Sequence, residues 1–340
     1  MRALVFHGVR DLRYEDAATP AVGSGEALVK VKAVGICGSD VHGYLGKTGR
    51  RIPPMIMGHE FSGVVERVGP GPTDVNPGDR VAVFPYTTCG RCSYCQDRRI
   101  NACPDKRFLG VFSTNGAMAQ YVSVPAELLV PLPADVSFVH GALGEPLSVA
   151  ARVVSKAYLG PEAAMTIIGA GTIGLMCLIL AKTRGARCVS VIDISEDRLR
   201  LAKRLGADLT LNAGSQDPAE ILPVRFEQRG PAVVIEAVGI EATVNQAVQL
   251  VARGGTLVIV GMSDKRMVVD MHEIVGKEIR IEGSFLYGRQ EFHEVLGQVR
   301  TLTPQLDMMV SHTAPLSEGA AFFERLAKAE PDLFKIILTD

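Results

Sequence analysis

Along the first 150 residues, short apolar runs alternate with glycine and proline. Residues 27–34, 61–68 and 80–84 read as strands. Gly23-Ser24-Gly25, Gly69-Pro70-Gly71-Pro72 and Asn76-Pro77-Gly78 read as turns between them. This punctuation predicts a β-rich barrel or sandwich. Beyond about residue 150 the pattern changes. Residues 165–168 form a short apolar strand, 172–184 a helix stopped by Gly185, and 188–192 another strand. Ser195 is placed to cap a helix that ends at Gly206. Strands recur at 233–237 and 256–260, with 241–252 helical between them. Strand–helix alternation at this spacing predicts a parallel sheet with crossover helices. It fades near Ser284, and the tail holds two more helical stretches and a strand-like 335–338. No repeat or low-complexity tract is found.

Length and charge narrow the classes. At 340 residues, 47 % apolar and 21 % charged, the chain suits about two domains of a soluble globular enzyme. A formal net charge of −1 provides no global field to recruit nucleic acid or an anionic membrane. Residues 163–181 carry no charge, but the glycines within them read better as a turn between a buried strand and helix than as a membrane span. Charges interrupt the N-terminal stretch early, so no secretory h-region is expected and a cytoplasmic protein is. Of seven cysteines, four crowd between Cys89 and Cys103, which favours metal over disulfides.

A lone GxGxxG is weak evidence, but here Gly169-Ala170-Gly171-Thr172-Ile173-Gly174 follows a strand and opens a helix. Gly169 allows the tight turn, Gly171 lets the backbone approach a pyrophosphate, and Gly174 lets helix and strand pack closely. The helix N-terminus, at Thr172 and Ile173, then offers free N–H groups to phosphate. Asp193 ends the next strand about 20 residues on, where a carboxylate can accept from both ribose hydroxyls and repel a 2′-phosphate. That favours NAD over NADP. The plainer alternative makes Asp193 a strand-end turn residue or a partner of Ser195. Arg198 either neutralises phosphate or is a solvated helix arginine.

Cys89-x2-Cys92-x2-Cys95-x7-Cys103 places four thiolates in one loop. They suit a tetrahedral structural Zn²⁺ with no vacant position; an iron–sulfur cluster is the alternative. Elsewhere Cys37 lies in Gly-Ile-Cys-Gly-Ser-Asp-Val-His, His59 and Glu60 in Gly-His-Glu, and Glu145 in Gly-Glu-Pro-Leu. A thiolate, an imidazole and a carboxylate can hold Zn²⁺ and leave a position open for a substrate oxygen. Taken singly, each also reads as an ordinary structural residue.

These motifs, in this order and over nearly the whole chain, resemble the zinc-containing medium-chain dehydrogenases, especially their sorbitol (polyol) and threonine branches. The resemblance implies an α/β protein: a GroES-like β-barrel catalytic domain over 1–150 with a zinc lobe at about 86–104, a doubly wound Rossmann domain over 151–287, and a return over 288–340. It implies two zinc ions per chain and NAD. Cys37 and His59 take ligand roles. Glu60 and Glu145 bind directly, through water, or in exchange. Glu145 stands where ethanol-type relatives place a cysteine, which points to the polyol side. Asp40 would orient His59 through its second ring nitrogen.

By the same resemblance, a secondary alcohol gives its hydroxyl proton to Ser39, and the proton leaves through the nicotinamide ribose to His42. The stretches holding Val238, Val260 and Gly261, and Ser284 and Phe285 would border the nicotinamide; they also read as strand ends with packing glycines. A homotetramer is implied, with 256–260 as one strand able to pair across an interface. Beyond His42, Tyr44 is a candidate substrate contact. Lys47, Arg50 and Arg51 either grip an acidic polyol at the cleft mouth or form a solvated loop. The rivals are L-threonine or a simple diol as substrate, a zinc-free reductase of the superfamily, and a zinc-stabilised dinucleotide-binding protein without turnover.

Overall fold

A computed structural model describes residues 1–157, 164–226 and 229–340, with Arg225 described by its backbone alone. Ala163, where the uncharged stretch begins, lies outside these residues. The chain divides into one unit of Met1–Glu145 with Gly288–Asp340 and a second of Pro146–Tyr287.

In the first unit the strand Glu26–Gly35 organises the main sheet. One edge pairs antiparallel with Glu60–Val68. The other edge is shared: residues 26–30 pair with Tyr121–Pro125, and residues 33–35 pair with Lys335–Thr339. Arg80–Val83 and Leu129–Pro131 extend the sheet on one side, and Val310–Pro315 on the other. Alternating small and β-branched residues suit this strand: Ala27, Val29 and Ala33 are wholly buried. Three separated stretches of chain thus meet where Gly35 pairs with Glu60 and Ile337. A second sheet holds Arg2–Gly8, Asp11–Asp16 and Met55–Ile56.

The second unit carries a six-stranded parallel sheet. Its order is Leu209–Asn212, Cys188–Asp193, Ala164–Ile168, Val233–Glu236, Thr256–Ile259, Arg280–Gly283. The first strand in sequence stands third across the sheet, and the chain winds outward from it in both directions. This is the doubly wound order, with the switch point beside Ala164–Ile168. The helix Thr172–Thr183 is buried from Gly174 to Ala181, which explains its lack of charge before Lys182. Among the described residues no helix is long and apolar enough to cross a membrane.

Two expectations change. Residues 1–150 are not uniformly β-rich, because Phe138–Lys156 is a 19-residue helix. The strand Thr256–Ile259 cannot pair across an interface, because Val233–Glu236 and Arg280–Gly283 already occupy its two edges. Among the described residues the two outer strands of that sheet are Leu209–Asn212 and Arg280–Gly283.

Candidate functional site

The four-cysteine lobe is closed at its base by the short antiparallel pair Tyr86–Thr87 and Arg107–Phe108. Cys92 caps the one-turn helix Ser93–Gln96, which brings Cys95 back toward it. The sulfurs of Cys92 and Cys95 are 3.5 Å apart, those of Cys89 and Cys103 3.6 Å, and those of Cys89 and Cys95 4.0 Å. A tetrahedral zinc with Zn–S of about 2.3 Å sets its sulfurs about 3.8 Å apart, so the geometry fits. Backbone N–H groups of Arg91 and Cys92 hold the Cys89 thiol down at about 6, which favours the thiolate that a metal requires.

The second constellation follows from strand register. Glu60 pairs with Gly35, Cys37 lies two residues beyond Gly35, and His59 immediately precedes Glu60. Ligand atoms of Cys37, His59 and Glu60 all lie within 4.8 Å of one another. Asp40, on the helix Gly38–Tyr44, is fully buried. Its Oδ2 accepts from the Cys37 N–H at 3.3 Å, its Oδ1 accepts from Arg51 Nη2 at 2.7 Å, and the same Oδ1 lies 3.7 Å from His59 Nδ1. That buried ring nitrogen has no hydrogen-bond partner among the described residues. Glu145 is buried on the helix Phe138–Lys156, outside the group of three, but its charge reaches Cys37.

Lys335 was not anticipated from the sequence. Its ammonium donates to the Glu60 carboxylate and, at 3.1 Å, to the Ile36 carbonyl. Nothing local marks it, because strand pairing across the whole chain brings it there. Its buried charge helps test whether the residues fit a metal. With Cys37 as thiolate, the anions Cys37, Asp40 and Glu60 outnumber the cations Arg51 and Lys335, three against two. Desolvation, then Glu60 and Asp40, push the Cys37 thiol far up. A divalent cation would supply the missing charge and favour the thiolate, so the donor set fits Zn²⁺.

Ser39 is exposed beside this group. Its hydroxyl donates to Cys37 Sγ at 3.3 Å and accepts from Arg51 Nη2 at 3.2 Å. His42 is half-buried, and desolvation followed by the charge of Lys47 lowers its pKa. Two neighbours differ from expectation. Tyr44 is 3 % exposed, its hydroxyl donates to Glu324, and its ring packs edge-on against Phe323. Its single donor is therefore already committed. Arg51 is withdrawn from the charged loop into the pair with Asp40, while Lys47 and Arg50 stay exposed.

In the second unit, Gly169 takes φ 98° and turns the chain from strand into helix. A Cβ on Gly174 would lie 1.8 Å from the Gly169 carbonyl, whereas one on Gly171 would meet nothing within 4 Å. The loop thus packs tightly at Gly174 and stays open at Gly171, with Thr172 and Ile173 starting the helix. Asp193 accepts from the Ala170 N–H at 2.7 Å and the Ser195 N–H at 2.9 Å, so the turn role is real. A carboxylate has about four lone-pair sites, which leaves acceptors for a ribose. Arg198 lies 3.9 Å from Asp193. Val238, Val260, Gly261, Ser284 and Phe285 all follow strand ends on the same edge of the sheet. Glu236 braces that edge: its Oε1 accepts from the Val238 and Gly239 N–H groups and the Thr243 hydroxyl.

Residues 23–134 match the alcohol dehydrogenase GroES-like domain, and residues 172–301 match the zinc-binding dehydrogenase family. The sorbitol dehydrogenase of Bacillus subtilis is 38 % identical, with 84 % of this chain and 82 % of that protein covered. The L-idonate 5-dehydrogenase of Vitis vinifera is 36 % identical, over 82 % and 78 %. A solved structure from Sinorhizobium meliloti 1021, bound to NADP, superposes with a TM-score of 0.92 at 32 % identity, over 100 % of this chain and 99 % of that one. The chain therefore belongs to the zinc-containing medium-chain alcohol dehydrogenase family, in its sorbitol (polyol) branch.

Proposed function

We infer that this protein is a zinc-dependent oxidoreductase that transfers a hydride from a secondary alcohol, on a polyol or sugar-derived substrate, to NAD. The observation that carries the reading is the buried group of Cys37, His59 and Glu60, with its excess negative charge and Ser39 exposed beside it. Cys37 and His59 are the catalytic zinc ligands, with Glu60 and Glu145 as the acids that complete or exchange at the site. Cys89, Cys92, Cys95 and Cys103 hold the structural zinc. The first unit is the catalytic domain, and the second binds NAD. When bound, zinc supplies Lewis acidity toward the alcohol oxygen, and NAD accepts the hydride.

The chain's own residues do the rest. Asp40 faces His59 Nδ1 and fixes its ring. Ser39 Oγ accepts the hydroxyl proton from the substrate as its own hydroxyl proton passes on. His42, kept neutral by its surroundings, receives the proton on its way to solvent. Gly169, Gly171, Thr172, Ile173 and Gly174 cradle the pyrophosphate at the helix N-terminus, with Arg198 beside it. Val238, Val260, Gly261, Ser284 and Phe285 shape the nicotinamide end. Asp193 favours NAD through its negative charge.

The L-idonate relative acts on an acid, and the exposed Lys47 and Arg50 support an acidic polyol over a neutral one. Of the two outer strands of the parallel sheet, Arg280–Gly283 is the more exposed, which supports a homo-oligomer, a tetramer by the family resemblance. A cytoplasmic location fits the free cysteines. The test is NADH formation with sorbitol, an aldonic acid, a sugar-alcohol phosphate, L-threonine and a simple diol. Turnover of a polyol or acidic polyol above the other two supports the reading; turnover of threonine alone overturns it.

A further inference from the structure

Arg51 is the second buried cation of the site, and its surroundings are specific. Its neighbours Arg50 and Ile52 are exposed, while its own side chain is 3 % exposed. The backbone on either side is pinned to Phe112: the Phe112 N–H donates to the Arg50 carbonyl at 2.7 Å, and the Ile52 N–H donates to the Phe112 carbonyl at 3.3 Å. The aliphatic stem runs through space left by Gly43, where a Cβ would lie 2.3 Å from Arg51 Cγ. At its tip one nitrogen, Nη2, donates to Asp40 Oδ1 at 2.7 Å and to Ser39 Oγ at 3.2 Å. That Oδ1 is the atom facing His59.

We propose that Arg51 is a positioning residue that orients the Ser39 hydroxyl and the Asp40 carboxylate together. A guanidinium donates and cannot accept, so Ser39 Oγ must accept from Arg51. The Ser39 O–H thereby points away from the substrate, to Cys37 Sγ at 3.3 Å in this structure, and it is the proton that leaves when Oγ takes the substrate's. A hydroxyl has two acceptor sites, so one remains, and it is the one available to a substrate hydroxyl. Without Arg51 the hydroxyl rotates, and its proton can point at the incoming donor. Arg51 also compensates the buried Asp40 charge, so the carboxylate that faces His59 stays fixed. A lysine ammonium would preserve the charge, but its side chain ends one atom short of the Nη2 that reaches both acceptors.

This proposal rests on Ser39 accepting the substrate proton, and the experiment separates the two. The parent, Arg51→Lys, Ser39→Ala, the double variant, and Gly43→Ala are compared for kcat and KM, and for the rate at which zinc passes to a chelator. Arg51→Lys is expected to lower kcat by roughly 10- to 100-fold, the scale of a misplaced group, with KM and zinc release near those of the parent. Ser39→Ala should lower kcat on its own, and the double variant should fall no further, because Arg51 acts through Ser39. Gly43→Ala, which displaces the arginine stem without changing any charge, should reproduce the kcat loss. If Ser39→Ala keeps full kcat, the role of Ser39 fails and takes the proposal with it. If Ser39→Ala is impaired but the two losses multiply, only the Arg51 proposal is overturned. Zinc release accelerated in step with the kcat loss of Arg51→Lys would also overturn it, since that marks a purely structural role.

Discussion

Lys335, on the last strand of the chain, donates its ammonium to the carboxylate of Glu60, and both side chains are 2 % exposed. A buried cation beside a candidate metal centre holds one acid in place by charge. Removing one partner of such a pair leaves the other unpaired in a low dielectric. Lys335→Met should therefore cost about 3–5 kcal/mol in denaturant unfolding, and Lys335→Met combined with Glu60→Gln should recover part of that. A single variant as stable as the parent would show that the pair contributes little.

Metal content should divide by site. The parent is expected to hold two zinc ions per chain, and Cys95→Ser and Cys37→Ser one each. Cys95→Ser should lower Tm strongly, because the lobe is held by its four sulfurs and a short two-stranded base. Cys37→Ser should lose turnover with a much smaller change in Tm. Elemental analysis with thermal unfolding checks both, and equal losses in the two variants would contradict the division.

On the proposed reading Asp193 selects the cofactor as well as holding the turn. Asp193→Ala removes the acceptor for the Ala170 and Ser195 N–H groups and should cost about 1–3 kcal/mol. Asp193→Asn keeps one acceptor and removes the negative charge. It should stay folded and lose much of its preference for NAD, read as the ratio of kcat/KM with NAD to that with NADP. An unchanged ratio would remove Asp193 from cofactor selection.

The acid limb of the kcat/KM profile should report His42. Desolvation and Lys47 both disfavour the imidazolium, so the group titrates below the ordinary 6.5 and remains a free base at neutral pH. Activity is then kept through neutrality and lost only as pH falls through the lowered pKa. Lys47→Ala removes one depressing charge and should move the limb upward, and added salt should move it the same way by screening. A limb unmoved by both would exclude His42 as the group observed.

Much of this was legible in the sequence because the motifs are local. GxGxxG needs only a strand before it and a helix after it, and Ala164–Ile168 and Thr172–Thr183 provide both. The four-cysteine lobe is one loop. Phe138–Lys156 was hidden because Gly141, Gly144 and Pro146 look like helix breakers. The two glycines instead allow close packing: a Cβ on Gly144 would lie 2.7 Å from Leu296 Cδ2. Lys335 was illegible for a different reason: it is a charged residue in unremarkable surroundings, and only strand pairing between distant segments shows that it is buried against an acid. Arg51 reads with Lys47 and Arg50 as a loop charge, and only its pair with Asp40 shows it withdrawn. Tyr44 misled because its partner, Glu324, lies 280 residues away.

Oxidation of a polyol-type alcohol with NAD at the group around Cys37 is read by the rate of NADH formation on a panel of neutral and acidic polyols, for the parent and for Cys37→Ser. The parent is expected to turn over at least one polyol clearly, and a Cys37→Ser variant that remains folded to lose about a thousandfold or more, about 4 kcal/mol of transition-state stabilisation. A Cys37→Ser variant that keeps the parent rate, or a zinc-loaded parent that oxidises no polyol on the panel, would contradict it.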